Sequence, residues 1–427
     1  MKSDNITKDP LSFVWHHKFY DPDNLYTSCG KKIEVISGGY KSMHGPEFSD
    51  VEISIEGTTY KGSVAVHANS SDWYFDKRNQ DPSYDNVILS LSGNCDRIIR
   101  MLDDSILFSA SLKYPERISE NIKAITGSSS VSPCIRFVRR YMEDIETKNG
   151  FSRLLVERLE RKYDDVMKIY SSVGESWQDT FHILFSRTMG LGSNKDIYMS
   201  LARNIPYSIL CRERGDIKRI EAMIFGTAGL LDDKLYDEYK AELGAIYSEM
   251  AEKHDLQILE YCKWTEKGVR PYNFAPKRLA QISKVIETGN ATFDNIIIAN
   301  NIREVKKMFD MELSHYWKRS FDFGKRAPMA VKGIGDMTLD IIIINLVAPI
   351  LFAYGRQTGN VELEERALEY LYDTTAEMNR YTKPWEKESN IVENAFFSQA
   401  LIQLSTEYCD PRKCTECFIG IKAIKPI

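Results

Sequence analysis

Val51-Glu52-Ile53-Ser54-Ile55-Glu56-Gly57-Thr58-Thr59-Tyr60-Lys61-Gly62-Ser63-Val64-Ala65-Val66-His67 is the stretch on which the fold turns. Val51, Ile53 and Ile55 alternate with Glu52, Ser54 and Glu56, the period of two that marks a half-buried strand. Gly57-Thr58-Thr59 turns the chain, and Tyr60 to Ala68 runs back as a second strand. Successive strand side chains point to opposite faces, so Val64 and Val66 face one side, Ala65 and His67 the other. Outward from this hairpin, Ile33-Glu34-Val35-Ile36 and Val87-Ile88-Leu89-Ser90-Leu91 read as further strands. Arg97–Met101 and Ser105–Leu112 read as a hairpin around Asp103-Asp104, and a short helix is expected over Leu11–Phe19.

Thr126-Gly127-Ser128-Ser129-Ser130 followed by Pro133 marks a boundary. Beyond it the apolar period becomes helical. Ser152 reads as an N-cap, with Phe151 and Val156 as a hydrophobic staple, and Leu155, Leu159, Val166 and Tyr170 form an apolar stripe. Further helices are expected over 176–189, 194–204, 215–226, 232–254, 277–288, 300–312, 335–357, 361–379 and 390–407. Asn390 with Glu393 reads as a capping box for the last. The fold class is therefore α+β: a strand-rich mixed-sheet domain over 1–128, then a larger all-helical domain over 129–427.

The length of 427 residues suits two or three domains. A net charge of −5 excludes a strongly basic nucleic-acid binder, so any such binding needs a local patch. The N-terminus lacks the apolar core of a signal peptide. The longest apolar run, Ile341–Tyr354, is interrupted by Asn345 and Pro349 and falls short of the ~20 residues that span a bilayer, which points to a buried helix. Sparse, scattered cysteines point to a reducing cytoplasm.

The chemistry concentrates around the opening hairpin. Metal-dependent phosphodiester cleavage needs carboxylates that converge on Mg²⁺ and a group that handles water. Gly45-Pro46-Glu47-Phe48 places a carboxylate at the start of one strand. The next strand should offer a carboxylate and a basic residue at i and i+2, on one face. His67 fills the basic position, but Ala65 stands where the second carboxylate belongs. Glu52, Glu56 or Asp72 could substitute. Equally, Gly45-Pro46 could be only a turn and His67 a structural histidine.

The chain resembles an uncharacterised Bacteroidetes family of unknown function (DUF 2851). The resemblance is carried by Gly45-Pro46-Glu47-Phe48, Ser70-Ser71-Asp72-Trp73, Asp81–Leu89, Arg153–Glu160, Ile220–Gly226, Arg270-Pro271-Tyr272-Asn273-Phe274, Arg278-Leu279-Ala280-Gln281 and Cys414–Gly420. The family pattern has Gly-Pro-Asp-Phe and then Val-Glu-Ile-His, a spacing similar to the PD-(D/E)XK nuclease superfamily with His for the usual Lys. The resemblance implies a nuclease-like N-terminal domain whose centre would be Glu47, His67 and Asp72. Glu47 replaces the Asp and Ala65 the Glu. Asp76-Lys77-Arg78 and Ser90 stand where the family tends to have histidines. A divergent, inactive member is implied, with at most residual Mg²⁺.

Cys409, Cys414 and Cys417 have ligand-like spacing for zinc or an iron–sulfur cluster, with Cys134 as the preferred fourth ligand. Three reduced thiols in a tail are the plain alternative. Arg270, Asn273, Arg278 and Gln281 lie about a helix that Pro276 can start, and could grip a nucleic-acid backbone or merely clamp a loop. Lys318 and Arg319, within Tyr316-Trp317-Lys318-Arg319-Ser320-Phe321-Asp322-Phe323, mix cations with aromatics that could stack bases or cover a core. The leading expectation is a nucleic-acid-associated protein with a degenerate cleavage centre. The competing one is a non-enzymatic helical scaffold that binds another protein. A third keeps catalysis through Glu52 or Asp72. No membrane association is expected.

Overall fold

The structure, a computed structural model, describes residues 10–42, 44–130, 132–135, 145–190, 192–232, 236–259, 264–330 and 333–425. Six strands form one mixed sheet: β1 (Ile33–Ser37), β2 (Tyr40–Lys41), β3 (Phe48–Ile55), β4 (Thr58–Asn69), β5 (Val87–Asn94) and β6 (Ser109–Ser111). The order is β1-β3-β4-β5-β6, with β2 also on β3. β1, β3 and β4 are antiparallel, whereas β4, β5 and β6 run parallel.

The β3–β4 hairpin closes as the alternation requires. Ile55 pairs with Thr58, and Glu56 (φ 49°) and Gly57 (φ 82°) both take positive φ between them. Two such residues make a type I′ turn, whose twist matches that of the strands, and glycine takes its second place without strain. A parallel β4–β5 pair needs a crossover, which runs through a short helix, Asp72–Phe75, and two single turns, Arg78–Gln80 and Pro82–Tyr84. This crossover carries Arg78 back to the sheet.

Beyond the sheet the chain is helical, as expected, apart from a small ribbon of β7 (Ser320–Asp322) and β8 (Lys325–Arg326). Helices at Trp177–Met189, Lys195–Asn204, Ile217–Thr227, Glu238–His254 and Ala275–Thr288 fall close to the expected spans, with Pro276 in the first turn of its helix. The helix expected over 361–379 ends at Tyr372, and the one expected over 300–312 covers only Ile302–Met308. Residues 233–235 of one expected span lie outside the described residues. Four further readings differ. A helix at Glu116–Thr126 was not expected. The hairpin around Asp103-Asp104 reduces to a single Arg100–Ile106 bridge and the short β6. The helix assigned a start at Ser152 is already formed by Ile145, so Ser152 is interior to it. The last long helix begins at Ala395, where Asn394 Oδ1 accepts from the Phe397 amide, and Asn390 has a positive φ of 52° in place of a capping box.

The chain divides into two compact units. One comprises Met1–Gly150, Lys383–Ser389 and Ile402–Ile427; the other comprises Phe151–Thr382 and Asn390–Leu401. The C-terminal segment, read from sequence as part of the helical portion, thus packs with the sheet. Asn121 Nδ2 donates to the Ile424 carbonyl at 3.2 Å, and Lys41 pairs with Glu416 at 2.8 Å. Within the second unit, the apolar run lies in a continuous helical segment, Asp336–Thr358, of 23 residues, whose most apolar 18-residue window has a mean hydropathy of 2.0, long and apolar enough to cross a membrane. Two-thirds of its apolar window is buried, which makes it the core helix of that unit.

Candidate functional site

The β3–β4 ladder ends at the Phe48–Val64 pair, which leaves the next outward-facing peptide groups of β4 without a strand partner. Glu47 and Arg78 take that place. Glu47 Oε2 accepts from the Val66 amide at 2.7 Å, and Arg78 Nη1 donates to Glu47 at 3.2 Å and to the Val66 carbonyl at 3.4 Å. Gly45, with a φ of 76° ahead of Pro46, sets the bend that delivers Glu47, and its carbonyl accepts from Tyr84 Oη at 3.0 Å. Arg78 also sits over the Tyr84 ring. Burial raises the Glu47 carboxyl above its ordinary range, against the opposing pull of Arg78 and the Val66 amide.

Ala65 and His67 flank Val66 on β4, and the period of two sets them on one face. Ala65 is fully enclosed with Trp73, Val87, Ile99 and Leu107. His67 stands edge-on to the same Trp73 and shares a 2.9 Å hydrogen bond with Ser90 Oγ. Its imidazole is pushed down to about 3 by burial first and by the Arg78 charge second, so it is neutral at physiological pH. His67 Nδ1 and Trp73 Nε1 are buried without a hydrogen-bond partner among the described residues. Two unpartnered polar atoms in one ring pair are unusual in a packed interior.

The other carboxylates are engaged elsewhere. Asp72 Oδ2 accepts from the Asn69 amide at 2.9 Å and closes the turn after β4. Glu52 pairs with Lys61 across the hairpin, and Glu56 with Lys31 at its tip. The Ser70-Ser71-Asp72-Trp73 motif is a structural clasp: Ser70 Oγ accepts from the Arg97 amide, and both serines hydrogen-bond to Asp96. Arg78 and Ser90 belong to the centre and were read from sequence only as departures from the family pattern. Nothing local marks them; the crossover fold brings them in.

Cys134, Cys409, Cys414 and Cys417 line one small cavity of about 10 Å³ together with Trp385 and Leu404. All four are buried. Hydrogen bonding between Cys134 and Cys414 raises the first and lowers the second, and burial pushes Cys409 up to about 12. Among the described residues, no three or more histidine, cysteine or carboxylate groups are drawn up as a ready ion cage.

The expected backbone grip is spent internally. Arg278 is 3% exposed and donates to Gln281, Asn273 and Thr338, while Gln281 donates to the Gly333 carbonyl. Buried side chains tied to each other clamp a loop and present nothing to a phosphate. Arg270 and Arg319 are exposed, and Lys318 pairs with Glu312. The aromatics beside them are core: Trp317 is buried and stacked on Phe225 at 5.1 Å, with Phe323 against both.

Residues 8–380 match the family described as "Protein of unknown function (DUF2851)". The chain belongs to this family. The matched span of this DUF2851 protein holds Glu47, Ala65, His67, Arg78 and Cys134, and stops before Cys409, Cys414 and Cys417. No curated protein and no solved structure matches the chain.

Proposed function

We propose that this protein is a nucleic-acid-associated protein built on a nuclease-like sheet whose cleavage centre has been converted into a fixed ion pair. The observation that carries this reading is the Arg78 guanidinium on the Glu47 carboxylate; Ala65, two residues before His67 and packed in the core, is read as standing where a second metal-binding acid would be. A guanidinium supplies the positive charge that a divalent cation would bring, but it cannot activate water. In support of the reading, Glu47 precedes antiparallel β3 and positions 65 and 67 lie two apart on β4, the order in which metal-dependent cleavage would need its acids and base. His67 is read as the surviving member of that pair, and the unpartnered atoms at His67 and Trp73 support the reading.

A second element of the reading is a soft metal, zinc or an iron–sulfur cluster, held by Cys134, Cys409, Cys414 and Cys417. What supports it is the chemistry of thiolates and the arrival of the four cysteines from distant parts of the sequence at one small cavity; they are not gathered as a ready cage, so a metal would have to draw them together.

The test is fluorescence anisotropy with fluorescein-labelled single- and double-stranded oligonucleotides in EDTA, followed by incubation with Mg²⁺ or Mn²⁺. Salt-sensitive binding to either substrate without cleavage is the expected result. Absence of binding at low salt overturns the association, and metal-dependent cleavage overturns the loss of catalysis.

A further inference from the structure

One opening within the helical unit has a volume of about 740 Å³ and is lined in part by the long apolar segment Asp336–Thr358. That is the size of a small-molecule site. One wall is apolar: Val166, Leu184, Met337, Ile341, Ile344 and Pro349. The opposite character comes from three cations, Lys162, Arg187 and Lys195.

The charges of this cavity are unequally used. Asp340 is paired with Lys306 at 2.9 Å. Glu377 accepts from the amides of Gln399 and Asn379 at 2.9 and 3.1 Å. Asp165 has only a distant contact with Lys168, at 3.9 Å, and is exposed. Arg187, by contrast, is half-buried with no hydrogen-bond or ion-pair partner among the described residues. Lys162 has a half-exposed stem but an enclosed amine end, which donates to the Ile344 carbonyl at 2.8 Å and to Asn345 Oδ1 at 3.2 Å. Those acceptors lie in a π-helical turn, Ile343–Val347, inside the long apolar helix. Such turns widen a helix and recur at binding sites. Here the wider turn supplies the carbonyl that holds Lys162 against the cavity. Burial, reinforced by Arg158 and Arg187, lowers the Lys162 ammonium against the opposing effect of Glu377 and Asp165. An unpaired guanidinium above an apolar wall is complementary to one chemistry in particular.

We propose that this cavity binds an organic anion with an apolar body, such as a medium-chain carboxylate. The carboxylate lies on Arg187 and Lys162, and the chain lies along Ile341, Ile344 and Met337. A bidentate carboxylate on arginine completes the donors that the protein leaves unused.

Decanoate and decanol are the probes, titrated calorimetrically into the full chain, with 8-anilinonaphthalene-1-sulfonate displacement as the second readout. Decanoate is expected to bind one per chain, and decanol at least about tenfold more weakly, the value of a single charge-assisted contact. Arg187→Gln should weaken decanoate by about the same factor and leave decanol unchanged, whereas Arg303→Gln, an exposed cation on another helix, should change neither. Equal binding of decanoate and decanol by the native chain overturns the proposal without recourse to any variant. So does a folded Arg187→Gln protein that retains full decanoate affinity.

Discussion

Arg78 Nη1 stands 3.2 Å from the Glu47 carboxylate, with 16% of the arginine side chain and 8% of the glutamate side chain exposed. The pair also closes the open end of the β3–β4 ladder, through the Val66 amide and carbonyl. Removing one partner leaves the other's charge buried, which costs more than the intact pair contributes. Arg78→Met should therefore destabilise the protein by about 3 kcal/mol. The Glu47→Gln/Arg78→Met double variant should recover part of that loss, because no charge is then stranded. Urea denaturation of Glu47→Gln, Arg78→Met and the double variant measures it; additive losses show that the two side chains act independently.

His67 gives a pH signature of known sign. Its folded value of about 3 lies below the ordinary 6.5, so the unfolded chain takes up a proton first as pH falls. The stability tied to neutral His67 is complete above pH 6.5 and is lost progressively toward pH 3. The His67 ring signals should not titrate between pH 5 and 8 in NMR, and His67→Gln should flatten the acid limb of stability against pH. A ring that titrates near 6.5 shows that the site is open to water.

These two residues also show how much of the centre could be read from sequence. The hairpin was legible because alternation over Val51–Ile55 and Gly57 are local signals, and the side assignment of Ala65 and His67 followed from period two. Glu47 was legible from Gly45-Pro46. Arg78 was not, because its role depends on a crossover whose path is fixed by tertiary packing of Trp73 and Tyr84. The same limit applies to Arg278 and Gln281. A helix start with Arg, Asn and Gln reads equally as a ligand grip or a clamp, and only the burial of Arg278 decides for the clamp. The Ser152 cap failed because a capping motif is also an ordinary surface pattern within a longer helix.

Glu221 provides the opposite pH dependence. It is 1% exposed and accepts from Tyr239 Oη at 2.7 Å and Trp317 Nε1 at 3.0 Å. Burial raises its carboxyl to about 7, despite these donors. The folded state then holds a proton that the unfolded state releases, so its stability contribution is full below pH 4.5 and falls as pH rises through 7. Glu221→Gln, neutral at every pH, should remove that decline between pH 5 and 8. Thermal unfolding across this range tests it, and an unchanged slope in the variant assigns the decline to another group.

The four buried cysteines allow the sharpest test of the metal reading. Cys134 is separated from Cys409, Cys414 and Cys417 by the whole helical portion of the sequence, yet all four face one cavity. Four thiols in an apolar pocket without a metal are a small hydrophobic cluster; with one, they are a clasp that closes the two ends of the sheet-bearing unit onto each other. Protein purified without added metal should contain zinc or iron, with visible absorption in the second case, and its buried thiols should resist Ellman's reagent while the exposed Cys29 reacts at once. Cys414→Ser should lose the metal and lower the melting temperature, since binding energy at a structural site is folding energy. Metal-free protein that keeps its fold and its four protected thiols identifies the cluster as packing alone.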